Sequence, residues 1–330
     1  MNRVLLGLAP LQENEIYYIK ENVEEVIVFV DGSGFQEVWG DNAHSDVWMN
    51  TLLWVGNLSC QKKLYLRTNR QKPEPKLVET VESMGYDTIQ LNEKGKPDHL
   101  AKCVLADLLR MVCRNDPGSW KHTLFVFLVS DKPYWIDILH WLRVVFNTIC
   151  TIPTHENEKW TLHCPPICHR STLECTPLVL WDLDNMGVGS RVAKFAQDIV
   201  QEYGERQWIA MCRPDSSNSS ETRNALQAVG VQIWHTSDTP EAADRAILCF
   251  LIAWMATRDP KSISIISNDR DFDPALKILK EHGIVVDDLS KKAEAKIKSP
   301  KPKTPKRKRN QTDLEEELQI TKKQKTCVAS

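Results

Sequence analysis

Short apolar runs alternate with amphipathic stretches along most of the 330-residue chain. Runs such as VIVFV and LVLWD are rich in β-branched and other apolar residues, which is typical of strands that are covered on both faces. The stretches between them, for example HLAKCVLADLLRMV, carry apolar residues at helical spacing. This alternation predicts βαβ units, and therefore parallel sheets with helices on both faces.

The same order of apolar and amphipathic segments occurs twice. The first copy begins with VIVFVDGSGF and ends with TLFVFLVSDKPYW, whereas the second begins with PLVLWDLDNMG and ends with SISIISNDRDF. The turns NDP and RDP align the two copies independently, and this alignment pairs Asp31 with Asp182 and Asp131 with Asp269. We therefore expect a tandem duplication of a three-layer α/β/α domain with a mainly parallel sheet.

Shifts in composition indicate where the domains begin and end. A polar, Pro-rich stretch between the two copies is typical of a linker, and a Lys/Pro tract near the C terminus has too few apolar residues to form a core. We predict an N-terminal segment, a first domain, a linker, a second domain and a disordered basic tail, at residues 1–21, 22–150, 151–176, 177–290 and 291–330.

Composition excludes several classes of protein. No run of about 18 apolar residues occurs, so we expect no membrane-spanning helix and no membrane partner. The first twenty residues lack the pattern of a signal peptide, which argues against secretion. The 10 cysteines are scattered and mostly lie in apolar stretches, as expected of buried thiols in a reducing compartment.

Carboxylates follow the predicted strands of the second copy. Asp182 and Asp184 follow the first strand, and Asp244 opens the long helix. Asp269, Asp271 and Asp273 follow the last strand. The carboxyl ends of parallel strands meet at one edge of a sheet, so these side chains should converge. Several carboxylates in one crevice suit a hard cation, Mg²⁺ or Mn²⁺, and such an ion can support phosphodiester hydrolysis.

Three motifs of the second copy occur in the order found in a known family. The segments LVLWDLDNMG, AADRAIL and ISNDRDFDPALKILKEHGI resemble the NYN domain of the PIN-like nuclease superfamily, in particular the branch of the meiosis regulator and mRNA stability factor. The resemblance implies a metal-dependent ribonuclease fold. It also implies roles for individual residues: catalytic carboxylates Asp182, Asp244, Asp269 and Asp271, metal ligands that include these four and Asp184, and a supporting Asn185.

Two positions depart from the family pattern. The family usually has a second acid six residues after the Asp of its second motif, and here that position is Phe250; the Gly of its third motif is Asn268. The first copy resembles the family more faintly. It keeps Asp31, Asp107 and Asp131, which we interpret as a vestigial site in a degenerate domain.

Two functions follow from this interpretation. The first is a divalent-metal-dependent endoribonuclease that hydrolyses single-stranded RNA during RNA processing or decay. The alternative is a catalytically inactive double-NYN adaptor that binds RNA or protein partners in the nucleus. The four matched carboxylates favour the enzyme, whereas Phe250 and the degenerate first copy favour the adaptor.

The C-terminal tail carries a charge opposite to that of the rest of the chain. Residues 291–330 contain 13 Lys or Arg and 5 Asp or Glu, a net charge of +8, so the preceding residues carry −10 of the total of −2. The basic cluster Lys306, Arg307, Lys308 and Arg309 is typical of a nuclear localisation signal bound by an import receptor. We expect a nuclear protein, and phosphorylation at Ser299 and Thr304 could let it shuttle with the cytoplasm.

Two segments also match other kinds of site. The WDLDN segment also resembles the opening of haloacid-dehalogenase phosphatases, but Met186 stands where those enzymes have Thr. Five residues of the linker could bind zinc, but their spacing matches no standard site; these are His163, Cys164, Cys168, His169 and Cys175. We expect free thiols there.

Overall fold

The computed structural model describes most of the chain between residues 23 and 289. The ranges that it does not describe are 1–22, 34–35, 37–41, 58–60, 69–72, 93–97, 117–118, 130–132, 143–144, 153–158, 164–176, 187–190, 205, 215–219, 259–261, 288 and 290–330. Several residues singled out by the sequence lie outside the described residues: Asp131, the linker residues Cys164, Cys168, His169 and Cys175, and the tail residues Ser299, Thr304, Lys306, Arg307, Lys308 and Arg309.

The first half of the chain forms a six-stranded sheet. Its strands are β1 (Glu25–Asp31), β2 (Gln61–Arg67), β3 (Asp87–Leu91), β4 (Thr123–Leu128), β5 (Asn147–Ile152) and β6 (Lys159–His163). They lie in the order β3-β2-β1-β4-β5-β6. The first five strands are parallel, and β6 pairs antiparallel with β5.

Among the described residues of this half, four helices and one short 3₁₀ turn accompany the sheet. The helices are α1 (Asn42–Gly56), α2 (Pro75–Ser83), α3 (His99–Arg114) and α4 (Pro133–Leu142), and the 3₁₀ turn is Ser119–His122. Proline at the start of α2 suits the first helical turn, where a backbone N–H has no helical partner in any case.

The second half forms a five-stranded, wholly parallel sheet. Its strands are β7 (Leu178–Asp182), β8 (Gln207–Cys212), β9 (Gln232–His235), β10 (Ser262–Ile266) and β11 (Val285–Val286), in the order β11-β10-β7-β8-β9. Its helices are α5 (Arg191–Tyr203), α6 (Ser220–Ala228), α7 (Ala242–Thr257) and α8 (Asp273–Glu281), and a 3₁₀ turn, Arg270–Phe272, precedes α8. The predicted α/β class with mainly parallel sheets is confirmed.

The two sheets have the same strand order. If β7 to β11 are matched with β1 to β5 in chain order, the second sheet becomes identical in order to the first five strands of the first sheet. Ala101 and Asp244 then both occupy the third position of their helices, α3 and α7. A repeat requires this shared topology, and the duplication itself stays a prediction.

Strand β1 shows why the sequence of a central strand is almost wholly apolar. Its alternate residues Val26, Val28 and Val30 pack with α1 and α2 on one face. Ile27 and Phe29 point to the other face, towards α3 and α4. Because successive side chains of a strand point to opposite faces, burial of both faces requires a continuous apolar run.

The two halves share one continuous core. Helix α3 packs against α7 and α8, and α4 also packs against α7. The apolar residues of these four helices join those of β1 and β7 in a single cluster. Helix α7 is apolar on nearly all sides and almost entirely buried, as expected of a helix enclosed between two layers. The boundary between the halves is therefore a packed interface.

Part of the segment that we predict to be a linker is a strand. Residues Lys159–His163 form β6, at the edge of the first sheet. The segment KWTLH alternates apolar and polar residues, a strand pattern that the surrounding Pro and polar residues obscure. Among the described residues, no helix is long and apolar enough to cross a membrane.

Candidate functional site

Acidic side chains converge at one edge of the second sheet. Strand β7 ends at Asp182, and Asp269 and Asp271 follow β10, the neighbouring strand. Asp244 lies in the first turn of α7, which follows the loop after β9. The parallel arrangement places all of these positions at the carboxyl ends of the strands.

Four carboxylates form a compact cluster in this crevice. One oxygen each of Glu241, Asp244, Asp269 and Asp271 lies within 4.8 Å of the others. The sequence predicts three of these residues and misses Glu241. Glu241 has a left-handed backbone with φ of 60°, alone among the described non-glycine residues. The signal for it was its place three residues before Asp244, at the start of α7.

Asp182 lies beside this cluster but uses its oxygens differently. Its Oδ2 accepts hydrogen bonds from the Ser267 hydroxyl at 2.7 Å and from the Asn185 amide at 2.6 Å. Asp182 is fully buried, and burial raises the pKa of its carboxyl, against the lowering effect of these two donors. Asn185 thus supports Asp182, in the place that the sequence resemblance implies.

The loop after β10 is ordered by its own hydrogen bonds. The Ser267 hydroxyl that donates to Asp182 also accepts from the backbone N–H of Asp269 at 3.1 Å. The Asp269 carboxylate in turn accepts from the backbone N–H of Asp271 at 2.9 Å. These hydrogen bonds link three alternate residues of the loop and orient the carboxylates of Asp182 and Asp269.

Asp184 lies apart from the carboxylate cluster. Its carboxylate pairs with the Arg213 guanidinium at 3.3 Å and accepts from the Arg213 backbone N–H at 3.2 Å. It therefore tethers the end of β8 to the loop after β7. The structure does not bring it to the other residues that we predict as metal ligands.

A lysine from the first half enters the cluster. The Nζ atom of Lys102, in α3, lies 2.9 Å from Asp244 Oδ2, 2.8 Å from Asp271 Oδ2 and 3.0 Å from Glu241 Oε2. Asp98, one helical turn before Lys102, is 3.6 Å away. Only 5% of the Lys102 side chain is exposed. The acidic crevice of the second half is thus completed by a residue of the first half.

The charges of this crevice act on one another strongly. Burial lowers the pKa of Lys102, but the carboxylates of Asp244, Asp271 and Asp98 outweigh it and raise the pKa above its ordinary value. Burial and the neighbouring Glu241 raise the pKa of Asp244 to about 8, although Lys102 acts in the opposite direction. The crevice therefore holds more negative charge than one ammonium group neutralises.

Arg245 makes the reciprocal connection from the second half to the first. Its guanidinium lies 3.1 Å from Asp98 Oδ2 and 3.1 Å from Asp137 Oδ2. It also donates to the Thr239 hydroxyl at 2.6 Å. In the alignment of the two copies Arg245 occupies the position of Lys102, so the same helix position supplies the interdomain cation in both halves.

The first half has no comparable cluster among its described residues. The Asp31 carboxylate is buried and accepts from the Ser33 backbone N–H at 3.0 Å and from the Trp135 indole at 2.8 Å. Asp107 instead pairs with Lys63 at 3.0 Å and accepts from the Tyr65 hydroxyl at 2.7 Å. The two described residues of the vestigial site therefore serve different local contacts.

Phe250 is part of an aromatic cluster. Its ring lies 5.2 Å from that of Trp234, edge to face, and 5.7 Å from that of Trp254. Trp234 stacks on Trp141 of α4 at 5.5 Å. The position where the family usually has a second acid has thus become part of the contact between the halves.

Comparison with known proteins bears on the second half alone. A sequence model of the NYN domain matches residues 178–313, from the first residue of β7 to beyond α8. No curated protein and no solved structure gives a significant match to the chain. The matched region contains the whole carboxylate cluster, and it continues past residue 290, where the sequence predicts the domain to end.

Proposed function

From the match of residues 178–313 to the NYN domain of the PIN-like nucleases, we propose that the protein is a divalent-metal-dependent endoribonuclease. The single observation that carries the proposal is the cluster of Glu241, Asp244, Asp269 and Asp271 within that domain. Its place at the carboxyl ends of the strands is where α/β sheets bind their ligands.

The residues of this cluster fit a hard cation. Carboxylate oxygens are the ligands that Mg²⁺ and Mn²⁺ prefer, and one oxygen from each of the four residues lies within 4.8 Å of the others. Asp244, Asp269, Asp271 and Glu241 would hold the ion. Such an ion supplies a nucleophile at neutral pH and neutralises the charge that develops on the phosphate.

The chain itself contributes orientation and exclusion of water. Ser267 and Asn185 hold Asp182 in one orientation beside the cluster. The backbone N–H of Asp271 donates to the Asp269 carboxylate and holds that carboxylate in one orientation. Asp244 is buried, so its interactions with neighbouring charges are poorly screened by solvent.

The proposal can be tested on the full chain by cleavage of a labelled single-stranded RNA in Mn²⁺. We expect cleavage that EDTA stops. Asp269→Asn and Asp271→Asn should each reduce the rate at least about 100-fold, since even residues that only support a metal ligand change activity by about 10- to 100-fold. Asp273→Asn is the matched control, because Asp273 belongs to the same short motif but is exposed outside the cluster.

The control should cleave at a rate close to that of the unaltered chain. Equal loss in Asp273→Asn and Asp271→Asn would attribute the effect to the fold of the loop and contradict the assignment. Cleavage that persists in both Asp269→Asn and Asp271→Asn would show that the activity belongs to another site or to a contaminant.

A second candidate function has its own support. A catalytically inactive adaptor that binds RNA or protein partners is favoured by Lys102, which neutralises part of the acidic crevice without a metal. The adaptor would bind the same RNA without cleaving it at any concentration of Mn²⁺. Binding and cleavage measured on one RNA therefore distinguish the two candidates.

The proposals on partners and location rest on the sequence. An acidic body needs a cation or a basic segment to approach RNA, and the basic tail with Lys306, Arg307, Lys308 and Arg309 offers one. The same cluster would bind an import receptor and direct the protein to the nucleus.

A further inference from the structure

The Lys102 ammonium lies among the carboxylates that would hold a metal ion. We propose that Lys102 is a built-in competitor for the divalent cation, so that the first domain determines how tightly the NYN domain binds metal. This inference rests on the proposed function only in placing the metal at the carboxylate cluster. It concerns this chain, because Lys102 lies outside the region that matches the NYN domain.

The ammonium group is fully engaged. A lysine ammonium has three N–H donors, and Lys102 makes three short contacts, to Asp244, Asp271 and Glu241, at 2.8 to 3.0 Å. No donor remains for a substrate phosphate while these contacts persist. Lys102 therefore acts as a counter-ion of the cluster and not as a phosphate-binding residue.

The same oxygens cannot serve both cations well. A Mg²⁺ or Mn²⁺ ion lies about 2.1 Å from a carboxylate oxygen. Asp271 Oδ2 lies 2.8 Å from Lys102 Nζ, so an ion on that oxygen would be at most about 5 Å from the ammonium. Two cations at this separation in a buried crevice repel each other strongly. Metal binding therefore requires Lys102 to withdraw.

Withdrawal of Lys102 is costly because of the fold. Lys102 lies in the part of α3 that packs against α7, and its side chain is 5% exposed. Its nearest alternative partner, Asp98, already pairs with Arg245 at 3.1 Å. The lysine is thus delivered by a rigid helix, and leaving the cluster would bury an ammonium with fewer partners.

The inference predicts the effect of removing the ammonium group. Lys102→Met keeps most of the length of the side chain and removes its charge. We expect this variant of the full chain to bind Mn²⁺ at least about tenfold more tightly than the unaltered chain in a calorimetric titration. Lys63→Met is the matched control, because Lys63 also pairs with an aspartate, Asp107, but does not contact the cluster. It should bind Mn²⁺ like the unaltered chain.

A second readout is independent of the titration. Without its counter-ion the cluster should destabilise the fold, so Lys102→Met should unfold at a lower temperature in EDTA. Mn²⁺ should recover most of that loss, because it binds the folded chain alone. Lys102→Gln serves as a second variant if Lys102→Met does not fold in EDTA.

The outcomes separate this inference from the proposed function. The inference is overturned if Lys102→Met and the unaltered chain bind Mn²⁺ with equal affinity. It is also overturned if Mn²⁺ raises the unfolding temperature of neither Lys102→Met nor Lys102→Gln. Tighter Mn²⁺ binding without RNA cleavage supports the inference and contradicts the nuclease. Cleavage with unchanged Mn²⁺ affinity supports the nuclease and overturns the inference.

Discussion

Asp244 is the residue of the site on which burial and neighbouring charges act most strongly. It is almost fully buried, it contacts Lys102 at 2.9 Å, and Glu241 and Asp182 add negative charge around it. A buried carboxylate beside other carboxylates favours its protonated form, whereas an adjacent ammonium favours its charged form. The first effect is the larger here, and the pKa of Asp244 rises to about 8.

This pKa predicts a dependence of stability on pH. The pKa of Asp244 is raised above its ordinary value of 3.8, so its protonation stabilises the folded state fully below about pH 4, and this contribution is lost as the pH rises towards about 8. Asp244→Asn cannot titrate and should lack that loss. In EDTA, the free energy of unfolding of Asp244→Asn relative to the unaltered chain should increase by about 1 kcal/mol or more between about pH 5 and pH 8.

Urea denaturation of both proteins at several pH values measures this difference. A difference that stays constant across the range would show that Asp244 keeps the same protonation state in the folded and unfolded chains. A difference that decreases with rising pH only below about pH 4 would show that Lys102 dominates and holds Asp244 in its charged form.

At the scale of elements, the loop between β9 and α7 is held by the first half of the chain. The Asp137 carboxylate of α4 accepts hydrogen bonds from the Ser237 hydroxyl at 2.7 Å and the Thr239 hydroxyl at 2.8 Å, and it pairs with Arg245. This loop leads directly to Glu241, whose left-handed backbone carries a cost in a residue other than glycine. Contacts between α4 and the loop therefore help to position a residue of the cluster.

Removal of the Asp137 carboxylate should destabilise the protein. Asp137→Ala removes an acceptor that two hydroxyls and a buried guanidinium share, which should cost about 2 to 4 kcal/mol in the free energy of unfolding. Asp184→Ala is the control, because Asp184 pairs with Arg213, whose side chain is 45% exposed. That pair should contribute less than about 1 kcal/mol.

The same two variants also test the positions of these residues in the site. Asp137→Ala should weaken Mn²⁺ binding through Glu241, and Asp184→Ala should leave it unchanged. A larger loss of stability in Asp184→Ala than in Asp137→Ala would contradict the importance that we assign to the loop contacts.

At the scale of the whole molecule, the two α/β halves are joined through their helices. Apolar residues of α3, α4, α7 and α8 form one cluster that reaches both sheets. Charged contacts also cross this boundary. Lys102 of the first half reaches the carboxylates of the second, and Arg245 of the second half reaches Asp137 of the first. A core of this kind couples the stability of the two halves.

We expect the chain to unfold in a single cooperative transition in scanning calorimetry. Residues 177–313 expressed alone should unfold at a lower temperature and bind a dye for exposed apolar surface, because the apolar side of α7 that faces α3 and α4 would lie open to water. Two separate transitions, or an isolated second half as stable as in the full chain, would show that the halves are independent.

Much of the architecture could be predicted from the sequence because it depends on local patterns. The apolar run of β1 and the helical spacing of apolar residues in α3 can each be recognised within one short segment of sequence. The repeated order of such segments predicts two α/β halves. Residues 159–163 show the limit of this approach, since the Pro and polar residues around them suggested a linker where the structure has an edge strand.

The predictable part of the site also followed from chain order. Asp182, Asp244, Asp269 and Asp271 follow strands or open a helix, and strand ends of a parallel sheet meet at one edge. The sequence prediction misses both Glu241 and Lys102: the place of Glu241 before α7 is only a weak local signal, and nothing local marks Lys102. Glu241 depends on an unusual backbone conformation, and Lys102 stands in an otherwise ordinary amphipathic helix.

The sequence by itself therefore determined most of the elements, their order and the acidic character of the crevice, because neighbouring residues encode these properties. Only the tertiary structure decided that α3 packs on α7 and that the cation in reach of Asp244 and Asp271 is the chain's own Lys102. These two residues are separated from Lys102 by 142 and 169 positions. Contacts over such distances depend on how whole helices pack, and no local pattern of residues specifies that packing.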